Sequence, residues 1–396
     1  MAGKKFSWSV LIGAAFLMAS SAIGPGFLTQ TSLFTAQLGA SFGFVILLSI
    51  IIDAIAQLNI WRIITIADKP AQDIANRVFP GLGYIISLLV FLGGMAFNIG
   101  NIAGAGLGLN VLFGITVGQG AVMSAIIAIG IFMYKEAGKA MDTFAKIMGC
   151  LKIALALYIV YVSNPPLAEA VLRSVNPTKF SFTAVLTIVG GTVGGYITFA
   201  GAHRLLDAGM TGKQNLPQIN KGALSAIGIA SIMRILLFLA ALGVVTAGGI
   251  LDPANPAASV FKLAGGLVGY KLFGVIMWSA GVSSVVGSGY TSVSFIKSFH
   301  PLILRFNRQV IIGFITVSCI IFLIIGKPVK TLIAVGAING LILPLALGIM
   351  LIAAYRTKII ADYKQPLLLT ILGVLVVAVM AWMSYGAIIQ IMQSAL

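Results

Sequence analysis

The chain has 396 residues, 59% hydrophobic and only 9% charged, whereas an ordinary soluble domain carries about 25% charged residues. This composition excludes a soluble globular protein, and the formal charge of +16 does not mark a nucleic-acid binder, because the basic residues sort by membrane side. The two cysteines, Cys150 and Cys319, both fall within apolar stretches, which excludes a disulfide framework and a cysteine-based metal cluster.

A bilayer core about 30 Å thick needs roughly 20 apolar residues per helical span. The sequence predicts eleven such spans, at 9–38, 41–64, 82–113, 117–134, 138–163, 183–208, 219–249, 270–298, 308–326, 330–354 and 367–392. They are too long for barrel strands, and hydrocarbon offers no partner for free backbone groups, so the fold class is all-α and polytopic. Lys4 and Lys5 precede an apolar run that imitates a signal peptide. Gly24-Pro25-Gly26 interrupts that run and no small-residue cleavage site is convincing, so it is read as the first span.

Alternating the spans across a membrane places Lys4, Lys5, Arg62, Lys69, Arg77, Lys135, Lys139, Lys146, Arg204, Lys213, Lys221, Lys297, Arg305, Arg308, Arg356, Lys358 and Lys364 on one face. The other face receives Arg173, Lys179, Lys262, Lys271, Lys327 and Lys330. The positive-inside rule then predicts a plasma-membrane (inner-membrane) protein with a cytoplasmic N-terminus and an external C-terminus. The longest polar connections, near 163–182 and 249–262, are too short to bury a separate core, so 1–396 is read as one membrane domain.

Two spans are interrupted by glycine: the first at Gly24-Pro25-Gly26, the sixth at Gly190-Gly191 and Gly194-Gly195. They are five spans apart, as expected for two inverted repeats of five helices, each opening with a helix broken near the midplane. The repeats cover approximately 9–163 and 183–354, with the helix at 367–392 as an addition. The competing reading is that these glycines only let helices pack closely.

The run from Gly13-Ala14-Ala15-Phe16-Leu17 to Gly24-Pro25-Gly26 resembles the opening helix of the NRAMP family of divalent-metal transporters. Three further stretches agree: Gly106 to Ile115 in span 3, Gly190-Gly191-Thr192-Val193 in span 6, and Ala280 to Ser284 followed by Tyr290 in span 8. The resemblance implies a LeuT-like 5+5 inverted repeat and secondary transport by alternating access. It also identifies where the chain departs from the family. The family's Asp-Pro-Gly-Asn falls on Gly24, Pro25, Gly26 and Phe27, and its Met-Pro-His on Gly194, Gly195 and Tyr196. Acidic residues of the family's third helix are replaced by Asn98 and Asn101, which cannot titrate.

Hard divalent cations need several oxygen ligands, and softer metals gain from nitrogen or sulfur. Glycine, phenylalanine and tyrosine offer neither set, so no metal ligands are expected and the breaks are left with backbone N–H groups and positive helix ends, which suit a carboxylate. Phe27 and Tyr196 would add aromatic walls, while Thr29, Gln30, Thr192 and Thr198 would supply either orienting hydrogen bonds or ordinary interhelical ones. Asn98 and Asn101 share a helix face, lining a pathway or tying span 3 to a neighbour. Charges deep in a membrane are functional hypotheses by default. Three are expected there: Asp53, Lys152 and Arg234. Either their positive surplus complements an anionic substrate, or one pair neutralises itself.

LeuT-like transporters commonly bind sodium between helices 1 and 8, which points to Ser283 and Ser284. In some proton-coupled relatives a helix 5 lysine takes the sodium's place, which points to Lys152. His203, Arg204 and Asp207 follow the second break as solvated or gating residues, and nucleophilic catalysis has no Ser or Cys placed beside a base. No organic cofactor, nucleic acid or obligate protein partner is called for. The expectation is an ion-coupled symporter (Na⁺ or H⁺) of a small, anionic organic acid or amino-acid derivative, 5-oxoproline being one speculative candidate. Transport of Mg²⁺ or Mn²⁺ and a non-transporting membrane sensor are the alternatives.

Overall fold

The computed structural model describes residues 18–19, 22–133, 137–297 and 299–395, with side chains except at 137–146 and 390–395. The opening of the first span with Gly13 to Leu17, and the Lys4, Lys5, Lys135, Lys139 and Lys146 side chains used for orientation, lie outside the described residues.

Among the described residues, helix occupies every expected span. In chain order the helices are α1 (Pro25–Leu38), α2 (Phe42–Ala67), α3 (Ala71–Val78), α4 (Leu82–Phe113), α5 (Val117–Met133), α6 (Ala137–Ser163), α7 (Leu167–Val175) and α8 (Phe182–Val193). There follow α9 (Ile197–Asp207), α10 (Leu216–Thr246), α11 (Pro256–Ile296), α12 (Pro301–Arg305), α13 (Asn307–Ile325), α14 (Pro328–Ala353), α15 (Thr357–Ile360) and α16 (Leu367–Ala395). Among the described residues eight helical stretches are long and apolar enough to cross a bilayer. They become nine if the bent pair Ile147–Ser163 and Leu167–Val175 is one span. The expected eleven shrink because α1 and α2 count together as Pro25–Ala67 and because α5, at 17 residues, falls short.

Two connections read as polar loops contain helix. The 163–182 segment holds α7, bent by 109° from α6, and its Leu167, Val171 and Leu172 are exposed, as suits an amphipathic helix at a membrane surface. The second half of the 249–262 segment already belongs to α11, which starts at Pro256 behind an Asn255 cap and kinks at Gly266, where φ is +60°. A helix can begin in a polar stretch when a cap and a proline at its first turn satisfy the free N–H groups.

The halves interlock. Helix α4 packs mainly on α11, α8 on α14, and α10 on α2 and α6, so the buried centre is shared by elements from both ends of the chain. Large aliphatic side chains such as Ile51, Leu88, Ile126, Leu323 and Leu375 are exposed on the outside, the arrangement lipid favours because burying them against protein gains nothing there.

Both expected breaks are present, the second at Gly194-Gly195 alone, since Gly190-Gly191 lie inside α8. Residues 18, 19 and 22 are helical, Ile23 and Gly24 bend, and α1 starts at Pro25. Proline suits the first helical position because its missing N–H would have no partner there. The second break separates α8 from α9: Gly194 is extended (φ −78°, ψ 161°), Gly195 is left-handed (φ +54°), and Tyr196 caps α9.

Candidate functional site

The breaks are held by close backbone packing that only small residues permit. A Cβ on Gly104 of α4 would run into the Pro25 ring, so α4 crosses directly over the first break. At the second, a Cβ on Gly190 would strike Gly336 O and Gly340 N of α14, and one on Gly195 would strike Asn339 Oδ1. The Gly336-x-x-x-Gly340 pair and Asn339 were missed by sequence reasoning, although a small-xxx-small motif with an amide inside an apolar span is a recognisable interface signal. Asn339 Nδ2 donates to Gly93 O (3.1 Å) and Val335 O (2.9 Å), tying α14 to α4 beside the second break.

Around these breaks lie buried polar side chains whose hydrogen-bonding capacity the protein leaves unused. Gln30 Nε2 donates to Leu332 O at 2.7 Å, while its Oε1 has no protein partner. Asn98 Oδ1 accepts from Ser288 Oγ at 2.9 Å, so this residue does tie α4 to α11, but its Nδ2 is unpartnered, as is Asn101 Nδ2. Thr29 Oγ1, Ser284 Oγ, Ser292 Oγ and Asn339 Oδ1 are likewise unpartnered. Buried polar atoms are normally satisfied, so a concentration of unsatisfied ones signals a place for something the protein itself does not supply.

Other expected residues are absorbed by structure. Thr198 Oγ1 donates to Gln57 Oε1 (2.9 Å) and Thr198 O accepts from Trp61 Nε1 (2.9 Å), so Thr198 serves as an interhelical tie between α9 and α2. Tyr196 is fully buried and meets Phe97 edge-on with centroids 5.4 Å apart. His203 stacks on Phe295 (4.8 Å) and its Nε2 accepts from Ala71 N (3.3 Å), which places it in a contact among α9, α11 and the start of α3 rather than in solvent. Ser283 Oγ is spent on Ala280 O at 3.1 Å.

The three intramembrane charges are buried as expected, and two of them lie together while the third stands apart. Arg234 Nη1 lies 3.8 Å from Asp53 Oδ2, the neutral-pair alternative. Arg234 Nη2 donates to Thr192 Oγ1 (2.6 Å), Nη1 donates to Ser49 Oγ (3.3 Å), and the guanidinium carbon sits 4.4 Å from the Phe27 ring centroid. Lys152 is separate: its Nζ is 3.5 Å from Ile23 O, at the last carbonyls before the first break. Among the described residues no three His, Cys, Asp or Glu side chains come together.

Two interrupted helices inside an all-helical membrane bundle, with unsatisfied polar groups around the interruptions, mark a membrane transporter of the LeuT fold. The chain belongs to the Nramp family: the family described as natural resistance-associated macrophage protein-like matches residues 15–390. It is 62% identical over 383 residues to YcsG, an uncharacterized membrane protein of Bacillus subtilis (strain 168), covering 96% of this chain and 95% of that one. An uncharacterized membrane protein of Haemophilus influenzae is 53% identical over 386 residues, with 98% and 97% covered. In structure, the Eremococcus coleocola manganese transporter in complex with an aromatic bis-isothiourea substituted compound matches with a TM-score of 0.73 at 17% identity, covering 97% and 87%. MhsT in complex with L-phenylalanine matches with a TM-score of 0.65 at 16% identity, covering 96% and 98%. The protein is therefore a multi-pass membrane transporter with a small-molecule substrate, not an enzyme.

Proposed function

We propose that this Nramp-family transporter is an ion-coupled importer of a small organic acid or amino-acid derivative, not of a transition metal. The observation that carries the reading is the chemistry at the breaks. Unpartnered amide donors at Asn98 and Asn101, and unpartnered carbonyl acceptors at Gln30 and Asn339, lie around two helix ends. No carboxylate, imidazole or thioether stands at 24, 27, 194, 195 or 196. Neutral donors mixed with acceptors match a ligand bearing both a carboxylate and an N–H or C=O, whereas a dehydrated divalent cation can use only the acceptors. The fold accommodates such ligands, since MhsT, a structural neighbour, is described in complex with L-phenylalanine.

Coupling is assigned to the first break. Lys152 Nζ beside Ile23 O puts an ammonium at the first break, as in the proton-coupled relatives whose helix 5 lysine takes the sodium's place, which favours a proton as the driving ion. Of the two serines expected to serve sodium, Ser284 keeps its Oγ buried without a protein partner. The sorting of basic residues supports a cytoplasmic N-terminus and an external C-terminus in the plasma membrane.

Thermal unfolding of the purified protein tests the substrate class. Stabilisation by small organic acids, with none from Mn²⁺ or Mg²⁺, is expected. Stabilisation by the metals alone would replace this reading with cation transport. Silence towards both would point to a sensor that kept the fold and lost its site.

A further inference from the structure

A guanidinium in the middle of a membrane bundle is expensive, and one that exists only to be neutralised is normally locked to its carboxylate by two short parallel hydrogen bonds. Arg234 is 1% exposed and is not so locked. Its nearest approach to Asp53 is 3.8 Å, beyond the reach of a charge-assisted bond, for which N⁺–H···O⁻ distances run about 2.7–2.9 Å. Arg234 Nε and Asp53 Oδ1 both lack protein partners although buried. The groups nearest the guanidinium are neutral: the Thr192 hydroxyl at 2.6 Å, which also hydrogen-bonds the Asp53 carboxylate, the Ser49 hydroxyl at 3.3 Å and the Phe27 ring at 4.4 Å. Two of these three belong to the breaks. Phe27 lies in the first turn of α1, and Thr192 stands two residues before Gly194.

From this geometry we infer that Arg234 is the anion-recognising residue of the transport site, held between turnovers by Asp53 and transferred to a carboxylate that enters at the first break. This assignment rests on the organic-acid reading above and names the chemistry of its recognition. The first-turn N–H groups of α1 have no intrahelical acceptors and favour negative charge. A cation stacked on Phe27 lies beside the same end of the helix, so a carboxylate there meets backbone donors and a guanidinium together. The loose contact with Asp53 lets the exchange occur: the guanidinium keeps its neutral anchors and trades one carboxylate for another. A carboxamide of the same shape offers no charge for this exchange and is discriminated against.

The pair gives opposite expectations for its two members, which a purely structural ion pair does not. Binding of acetate, lactate, proline and 5-oxoproline, each beside its carboxamide, is measured by thermal shift and calorimetry on the detergent-solubilised full chain. In the wild type at least one acid binds and its amide binds at least tenfold more weakly. Asp53→Asn, which removes the competing carboxylate, binds that acid several-fold more tightly. Arg234→Gln binds it roughly ten- to a hundredfold more weakly, the loss expected for a hydrogen bond to a charged group, and no longer separates acid from amide. The D53N/R234Q double variant carries no buried charge at either position and serves as the folded control; it too fails to separate acid from amide. Wild-type binding of an acid with unchanged preference for it over the amide in R234Q, or in the double variant, overturns the assignment and leaves the organic-acid reading standing. Equal weakening by D53N and R234Q also overturns it, as the mark of a structural pair. Absence of binding by any acid to the wild type overturns the underlying reading and the assignment with it.

Discussion

The two helix breaks do the same topological work by different means, and the difference separates what the backbone demands from what the chemistry selects. At the first, Gly24 is extended (φ −87°, ψ −176°) ahead of Pro25, a conformation open to any residue and favoured before proline. At the second, Gly195 sits at φ +54° with Asn339 Oδ1 where a Cβ would go. The backbone at 24 therefore does not demand glycine, whereas the backbone at 195 does. Divergence from a metal-binding pattern at the first break is a change of chemistry on a backbone that would still accept the acid.

Substitutions sharpen this contrast. Gly195→Ala should have the largest effect: a left-handed non-glycine residue costs about 1–3 kcal/mol, and Asn339 must also move, so a clear fall in unfolding temperature and loss of uptake are expected. Gly104→Ala comes next, since the Pro25 ring cannot yield as a flexible side chain would; overpacking of this kind costs about 1–3 kcal/mol and is read in the same melt. Asn339→Ala removes the tie to Gly93 O and should cost about 0.6–1.7 kcal/mol, the range for interhelical hydrogen bonds in membranes. Gly24→Ala should be smallest, leaving the melt unchanged or raising it by the roughly 0.4–1 kcal/mol that Gly→Ala contributes where the backbone permits it. A melt in which Gly24→Ala is as damaging as Gly195→Ala would erase the distinction between the breaks.

The architecture was legible in the sequence because hydrocarbon length and glycine placement each leave a linear trace. The pairing of Gly24-Pro25-Gly26 with Gly194-Gly195 five spans later located both breaks, and Asp53, Lys152 and Arg234 stood out as charges in apolar runs. Partners were not legible. Nothing linear says that Arg234 reaches Asp53, Thr192 and Phe27 from three other helices, or that Thr198 is consumed by Gln57. Asn339 escaped because its role comes from Gly93 and Gly195, which lie far away along the chain. The helix at Leu167–Val175 escaped because a short surface helix lacks a spanning run of apolar residues, and the start of α11 at Pro256 escaped because it lies in the stretch read as a polar connection.

Uptake into proteoliposomes asks the central question most directly. With the purified chain reconstituted and an inward proton gradient imposed, radiolabelled 5-oxoproline, proline, lactate and ⁵⁴Mn²⁺ are compared against protein-free vesicles. The account predicts gradient-driven accumulation of at least one of the three organic acids and background levels of manganese. Accumulation of manganese with every acid at background would contradict it.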